Sequence, residues 1–190
     1  MAIGLYGGSF DPIHFGHLIT SQFLFEKRYL KKIIFMPCHI SPLKKDSIPT
    51  SNIHRIEMLK LATKSNPNYL VSDYEIIQGA VSYTYNTLRE LKKTNDEIEL
   101  IIGLDNLLVF DKWYMPNEIF DLATVVVMNR MNEIMPLNKN EFFNKVVFVD
   151  TPRIDISSTD IRNRIKNNLT IDYLVPTNVK EYISKNRLYL

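Results

Sequence analysis

The sequence has almost no cysteine, no long apolar run and no tract of positive charge, and each absence narrows the class of protein. The single cysteine, Cys38, excludes a disulfide within the chain and suits a reducing compartment. The most apolar stretch, Ala123–Met128, is far too short to span a bilayer. No basic leader precedes the first apolar segment, so no signal peptide is expected. We therefore expect a cytoplasmic protein with no membrane partner.

The charge is nearly balanced, which argues against a nucleic-acid partner. The net charge is +2, and the lysines occur as scattered pairs such as Lys31-Lys32 and Lys92-Lys93. A length of 190 residues with 45% hydrophobic residues fits one globular domain with a substantial core. No repeat, low-complexity tract or linker divides the chain. We predict a single domain over residues 1–190, and a homo-oligomer stays open.

Short β-rich runs alternate with longer helical patterns along the chain, which is typical of repeated βα units. The predicted strands, several of them apolar throughout, are Ala2–Tyr6, Lys32–Met36, Tyr69–Ser72, Glu99–Ile102, Thr124–Met128 and Val146–Val149. The predicted helices are Phe15–Tyr29, Asn52–Lys64, Thr84–Lys93, Asn106–Phe110, Asn117–Leu122, Thr159–Lys166 and Val179–Lys185. The pattern predicts an α/β fold with a doubly wound, mostly parallel sheet and a short helical C-terminus.

The most informative segment joins the first strand to the first helix through LYGGSFDPIHFGH, residues 5–17. Gly7 and Gly8 let the backbone turn tightly and approach a ligand without an intervening Cβ. The helix that follows offers unpaired N–H groups and the positive end of its dipole. His14 and His17, three residues apart on its first turn, add side-chain donors. These features indicate a phosphate site, although the third glycine of the dinucleotide fingerprint is absent.

A second helix start, ISSTDIR at residues 156–162, carries three consecutive hydroxyl side chains. Ser157 and Asp160 resemble a capping box with Asp in place of Glu, so a plain helix cap is one interpretation. The second interpretation is a polyphosphate-binding site, because Arg162 offers rigid bidentate donors beside a helix N-terminus. Two such helix ends in one chain favour a nucleoside triphosphate as the ligand.

The two motifs together resemble the paired signatures of the nucleotidylyltransferase superfamily. Within it, the chain is similar to the bacterial nicotinate-nucleotide adenylyltransferases along nearly its whole length. Further shared segments are SPLK at 41–44, SYTY at 82–85, IIGLD at 101–105, KWY at 112–114 and LY at 188–189. The resemblance implies a Rossmann-like fold and adenylyl transfer from ATP to nicotinate mononucleotide in NAD biosynthesis, giving deamido-NAD and pyrophosphate. It also implies direct in-line attack without a covalent enzyme intermediate.

The resemblance assigns roles to individual residues as well. It implies catalytic roles, through charge stabilisation at the phosphates, for His14, His17, Lys44 and Arg162. It implies ATP contacts for Gly7, Gly8, Ser9, Phe10, Gly103, Asp105, Ile156, Ser157, Ser158 and Thr159. It implies nicotinate mononucleotide contacts for Tyr83, Thr84, Trp113 and Asp105. No carboxylate cluster indicates a metal site built by the protein, so we expect Mg²⁺ to enter with ATP.

Several of these residues have a second interpretation. Trp113, the only tryptophan, can stack on a pyridine ring or simply pack in the core or a lid. The N-terminus of the helix at Thr84 would favour a carboxylate over a neutral amide. Lys44 either folds over the phosphates or is a solvated charge, and the family's usual Pro-Pro-His-Lys reads SPLK here. His14 and His17 could be a zinc pair, but no third ligand stands at a zinc-like spacing.

Other functions stay open on the sequence alone. Nicotinamide mononucleotide or phosphopantetheine could replace nicotinate mononucleotide as the acceptor. The chain could also be a nucleotide-binding module without turnover. The segment HFGH, residues 14–17, is similar to the His-x-Gly-His motif of class I aminoacyl-tRNA synthetases. The near-neutral charge and the lack of an additional basic domain argue against a fragment of that class.

Overall fold

The structure is a computed structural model that describes residues 1–42, 49–130 and 139–190. Its six strands are β1 (Ile3–Gly8), β2 (Lys32–Pro37), β3 (Tyr69–Val71), β4 (Ile98–Gly103), β5 (Thr124–Arg130) and β6 (Val147–Thr151). Its helices are α1 (Phe15–Lys27), α2 (Asn52–Thr63), α3 (Tyr74–Gln78), α4 (Thr84–Lys92), α5 (Leu104–Leu107), α6 (Pro116–Leu122), α7 (Ser158–Lys166) and α8 (Thr177–Lys185). Two short 3₁₀ turns cover Phe110–Lys112 and Glu141–Asn144.

The strands form one parallel sheet in the order β3-β2-β1-β4-β5-β6. The chain winds outward from β1 in one direction and from β4 in the other, so the topology reverses between these two strands. The β1–β4 pairing ends at Tyr6↔Ile101, whereas β1 stays paired with β2 as far as Gly8↔Pro37. The two central strands therefore part at Gly7, which opens a crevice at the carboxyl edge of the sheet.

Apolar side chains cover both faces of the sheet. Along β1, Leu5 packs into one core cluster and Tyr6 into the other. One cluster contains Leu24 of α1 and Val179 of α8, and the opposite one contains Leu88 of α4. Burial on both faces explains why these strands are apolar throughout rather than alternating.

The predicted fold class is confirmed, with a sheet that is wholly parallel within the described residues. All six predicted strands are present, each within two residues of its predicted ends. The predicted helix Asn106–Phe110 is wrong, because the chain forms α5 and then a separate 3₁₀ turn. Helix α3 was not predicted; it is one short turn that ends at Gly79, whose φ of 64° is left-handed. Among the described segments, no helix has the length and apolar content to cross a membrane.

Candidate active site

A cavity of about 1000 Å³ lies at the carboxyl ends of the strands, where β1 and β4 separate. Ligands of open α/β sheets bind at this position. The cavity brings together every described residue predicted from the sequence: Gly7, Gly8, Ser9, Phe10, His14, His17, Tyr83, Thr84, Gly103, Asp105, Trp113, Ile156, Ser157, Ser158, Thr159 and Arg162. Lys44 lies outside the described residues. The roles of all these residues remain predictions.

The turn after β1 is held in an unusual backbone conformation. Phe10 has a φ of 47°, which is left-handed and costly for a residue with a side chain. Its ring is only 2% exposed, and the ring centroid lies 5.1 Å from that of His17 and 5.5 Å from that of Tyr6. Phe10 therefore packs against His17 from the core side, and the ATP contact predicted for it stays a prediction.

The two histidines stack on each other at the start of α1. Their ring centroids are 3.7 Å apart, with 30° between the planes. The backbone N–H of His14 donates to Nδ1 of His17 at 3.3 Å, so a neutral His17 carries its proton on Nε2. A Cβ on Gly16 would lie 2.9 Å from the ring of His14. The glycine between the histidines therefore makes room for the stacked pair.

Burial keeps this pair neutral. It lowers the pKa of His14 to about 4. The pKa of His17 also falls well below its ordinary value, first through burial and then through the charge of His14. Within the described residues, the buried Nδ1 of His14 has no hydrogen-bond partner. The site thus presents neutral imidazoles, and a bound polyanion would shift them toward the charged form.

The hydroxyl motif at α7 is tied to the first motif through backbone carbonyls. Ser157 caps the helix, its Oγ accepting the N–H of Asp160 at 3.0 Å, which confirms that part of the predicted capping box. Ser158 Oγ donates to the carbonyl of Pro12 at 2.9 Å. The two motifs, separated by most of the sequence, therefore form one structural unit.

Arg162 joins the same two segments. One guanidinium nitrogen donates to the carbonyl of Asp11 at 2.7 Å, and another donates to Thr159 Oγ1 at 3.2 Å. The side chain is half-buried and lines the cavity. A cation in this position suits a polyphosphate, because guanidinium groups bind phosphate through paired donors.

A buried arginine on α2 organises the loops behind this unit. Arg55 has no exposed surface, and its guanidinium donates to the carbonyls of Ser9 at 2.8 Å, Cys38 at 2.7 Å and Thr50 at 3.1 Å. It also donates to the side-chain oxygen of Asn52. One side chain thus fixes the turn after β1, the end of β2 and the segment leading into α2.

The opposite end of the cavity is aromatic. Tyr83 is the N-cap of α4 and Thr84 its first residue, which confirms the predicted helix start. Trp113 stacks on Phe110 with ring centroids 4.8 Å apart, and its buried Nε1 has no partner among the described residues. Tyr114 is 49% exposed and lies 4.9 Å from the ring of Tyr83. This end offers flat aromatic surfaces.

Gly103 and Asp105 lie where β4 ends and line the same cavity. A Cβ on Gly103 would fall 2.4 Å from Oδ1 of Asp105, so the carboxylate occupies the space beside the glycine. Asn106 donates to the same oxygen at 3.3 Å. The exposed Asp105 carboxylate thus faces the cavity as an acceptor, which suits ribose hydroxyls.

Sequence reasoning assigned no role to several other cavity residues, among them Thr20, Glu75, Tyr114, Lys166 and Tyr189, although Tyr114 and Tyr189 stand in the shared segments KWY and LY. Helical spacing could have indicated Thr20 and Lys166, since Thr20 is three residues after His17 and Lys166 is four residues after Arg162. Glu75 gave no local signal. It is buried and accepts a hydrogen bond from Thr87 at 2.6 Å, and burial raises its pKa.

The zinc interpretation gains no support from the arrangement of side chains. Over residues 1–42, 49–130 and 139–190, no group of three His, Cys, Asp or Glu side chains could hold a metal ion. His14 and His17 therefore have no third ligand within this part of the chain.

Two helix N-termini, a histidine pair and an arginine meeting at the switch point of a parallel α/β sheet define a nucleotide-binding site of the nucleotidylyltransferase type. The profile of the cytidylyltransferase-like family matches residues 5–164. The Bacillus subtilis nicotinate-nucleotide adenylyltransferase is 38% identical over 189 residues, covering 98% of this chain and 97% of that protein. A Dictyoglomus thermophilum protein named "Probable nicotinate-nucleotide adenylyltransferase" is 40% identical, with 100% of both chains covered.

A solved structure supports the same fold. The Plasmodium falciparum nicotinic acid mononucleotide adenylyltransferase complexed with NaAD matches with a TM-score of 0.81 at 20% identity. The match covers 99% of this chain and 97% of that one. The chain therefore belongs to the cytidylyltransferase-like family and, within it, to the nicotinate-nucleotide adenylyltransferases.

Proposed function

We propose that the protein transfers the adenylyl group of ATP to nicotinate mononucleotide, forming deamido-NAD and pyrophosphate. One observation carries the proposal: the phosphate-binding motifs and the aromatic acceptor residues line one cavity. The names of the curated relatives support the same reaction. A single cysteine supports a cytoplasmic location, and residues 1–190 are proposed to act as one domain.

The reaction exchanges one phosphoanhydride bond for another. An oxygen of the acceptor's 5′-phosphate forms a bond to the α-phosphorus of ATP, and the bond from that phosphorus to the bridging oxygen breaks. The electron pair leaves with pyrophosphate. Such in-line transfer needs positioning and charge stabilisation more than a protein nucleophile. No covalent enzyme intermediate is part of the proposal.

We call the part of the cavity formed by the turn after β1, the start of α1 and the start of α7 the phosphate end, and it supplies both positioning and charge stabilisation. Its donors are the Nε2–H of His17, the guanidinium of Arg162 and the N–H groups at the start of α7. Because the imidazoles are neutral in the free protein, charge that develops on the phosphates strengthens their hydrogen bonds during transfer. Lys44, predicted to contact phosphate, would add a further cation.

Magnesium fits this site as a companion of ATP. The described residues hold no acidic cluster that would bind the ion independently, and Mg²⁺ commonly binds substrate phosphates. When bound there, it neutralises phosphate charge.

The part of the cavity formed by Tyr83, Thr84 and Trp113, which we call the acceptor end, favours the carboxylate of nicotinate mononucleotide over the amide of nicotinamide mononucleotide. The N-terminus of α4 at Tyr83 and Thr84 provides a positive dipole end for a carboxylate. The indole of Trp113 lines the cavity and offers a face for a pyridine ring. A neutral amide would place its own N–H donors against the N–H groups of this helix N-terminus.

Pyrophosphate release from Mg·ATP tests the proposal, with nicotinate mononucleotide and nicotinamide mononucleotide offered separately. We expect strong turnover with the nicotinate form and a kcat/KM at least about 10-fold lower with the amide, the loss of one charged hydrogen bond. Equal turnover with both would refute the carboxylate argument. ATP binding without pyrophosphate release from either acceptor would refute the reaction itself.

A further inference from the structure

The end of the described chain returns to the phosphate-binding turn. The hydroxyl of Tyr189 donates to Oδ1 of Asp11 at 2.7 Å, across a sequence separation of 178 residues. Tyr189 is half-buried and lines the cavity. No step of the proposed transfer uses this residue.

Two features hold the tyrosine in place. The side chain of the preceding Leu188 is buried in the core, and its N–H donates to the carbonyl of Ile183 in α8 at 3.1 Å. Arg187 and Tyr189 have φ angles of 50° and 67°, so the backbone is left-handed on both sides of Leu188. Such backbone persists only where surrounding contacts determine it.

Asp11 connects Tyr189 to the other residues of the site through hydrogen bonds. Its other carboxylate oxygen accepts the N–H of Thr50 at 3.0 Å, and its backbone carbonyl accepts from Arg162 at 2.7 Å. The side chain is buried, so each lost partner would leave an oxygen without water to replace it. Tyr189 and Thr50 hold the carboxylate of Asp11, and Arg162 bonds the backbone carbonyl of the same residue, so these contacts meet at one position of the turn.

We propose that Tyr189 is a positioning residue for the transfer reaction, and that its hydroxyl fixes Asp11 and thereby aligns the turn after β1 with Arg162. This inference rests on the proposed function for its assay. Burial and the neighbouring Asp11 carboxylate raise the pKa of Tyr189, so the phenol keeps its proton and remains a donor.

Loss of the hydrogen bond between Tyr189 and Asp11 should affect the binding of ATP and not that of the acceptor nucleotide. Asp11, Pro12 and Arg162 belong to the phosphate end, whereas Tyr83, Thr84 and Trp113 belong to other elements. Loss of the hydroxyl should weaken ATP contacts and the transfer step. Binding of the acceptor nucleotide should not change.

The variant Tyr189→Phe removes the hydroxyl and keeps the ring. We expect a 5- to 10-fold lower kcat, of the order of one net hydrogen bond, and a raised KM for ATP. The KM for nicotinate mononucleotide should stay within twofold. Calorimetric titration with ATP alone should show weaker binding, a readout that does not depend on the acceptor or on turnover.

Tyr173→Phe is the matched control, because Tyr173 is 91% exposed in the same C-terminal region. It should leave all of these parameters unchanged. A double-mutant cycle with Asp11→Ala, which removes both acceptor oxygens, adds a second test. If Tyr189 acts through Asp11, the double variant should lose no more activity than Asp11→Ala alone.

A purely structural role gives a different result. It would lower the melting temperature and the active fraction while both KM values and ATP affinity per folded molecule stay unchanged, which would overturn the proposal. Wild-type kinetics in Tyr189→Phe, or additive losses in the double variant, would overturn it as well. Since wild-type turnover is measured first, failure of the proposed reaction is distinguished from failure of this inference.

Discussion

The two ends of the cavity are built in different ways. At the phosphate end, Asp11, Arg55, Ser158 and Arg162 join distant segments through hydrogen bonds, most of them to backbone carbonyls. At the acceptor end, the principal contacts are ring against ring, with Trp113 on Phe110 and Tyr114 near Tyr83. The first end has its donors aligned before any ligand arrives. The second keeps an exposed ring, that of Tyr114.

We expect the phosphate end to determine mainly the rate of transfer and the acceptor end to determine mainly the recognition of the acceptor nucleotide. A site that stabilises developing charge gains from fixed donors, because they need no reorganisation during the reaction. A site that recognises a flat ring needs apolar area and one or two polar contacts. Changes at the phosphate end should therefore alter kcat and folding stability, and changes at the acceptor end should alter the KM of one substrate.

The largest expected effect concerns stability at acid pH. His14 binds its proton with a pKa of about 4 when folded and near 6.5 when unfolded, so the unfolded chain binds more protons between these values. The free energy of unfolding should fall from pH 6.5 downward and lose about 3 kcal/mol through His14 by pH 4, then level off. Urea unfolding of the ligand-free protein between pH 7 and pH 4 measures it.

His14→Gln separates this contribution from that of the carboxyl groups. The variant should be less sensitive to pH than the wild type between pH 6.5 and 5. Identical pH dependence in the two proteins would show that the imidazole titrates normally, and would contradict the description of a buried neutral pair. Saturating ATP should reduce the acid effect, because phosphate charge stabilises the imidazolium form.

The next effect is on turnover at the phosphate end. His17→Ala should lower kcat by roughly 100-fold or more with little change in KM, as expected for a donor that acts mainly in the transition state. His54→Ala is a matched control, because His54 on α2 bonds to Tyr182 and does not line the cavity. Near-wild-type kcat in His17→Ala would remove His17 from the mechanism.

The smallest effect belongs to the acceptor end. Trp113→Ala should raise the KM for nicotinate mononucleotide by about 10-fold, the value of one aromatic stacking contact, with ATP KM unchanged. Trp113→Phe keeps a ring and should recover most of the affinity. Steady-state kinetics with each substrate varied in turn measures both. If ATP KM rises instead, the two ends are coupled and the division between them is wrong.

Local sequence patterns predicted the parts of the molecule that depend on neighbouring residues. The strands were predictable because burial on both faces requires continuous apolar runs such as Val125–Val127. The start of α7 was predictable within one residue from capping, because the side chain of Ser157 accepts the N–H of Asp160. The break between α5 and the next 3₁₀ turn was not, because Leu107 and Phe110 are buried at helical spacing in either arrangement.

Contacts between distant segments could not be predicted from such patterns. Arg55 reads as an ordinary charged residue on an amphipathic helix, yet it is fully buried and bonds three backbone carbonyls. Ser158 reads as one of three equivalent hydroxyls, and only the structure shows its bond to Pro12. These partners are fixed by the topology of the sheet, which no local window contains.

The bond between Asp11 and Tyr189 has a consequence for protein synthesis. The turn after β1 is synthesised before one of its hydrogen-bond partners, which is translated 178 positions later. The central strand β1 likewise cannot form its second strand pairing until β4 has been synthesised. At translation rates of about 5–20 residues per second, the turn exists for roughly ten seconds or more without its final support. A nascent chain shorter than residue 189 therefore carries both motifs without a finished nucleotide site.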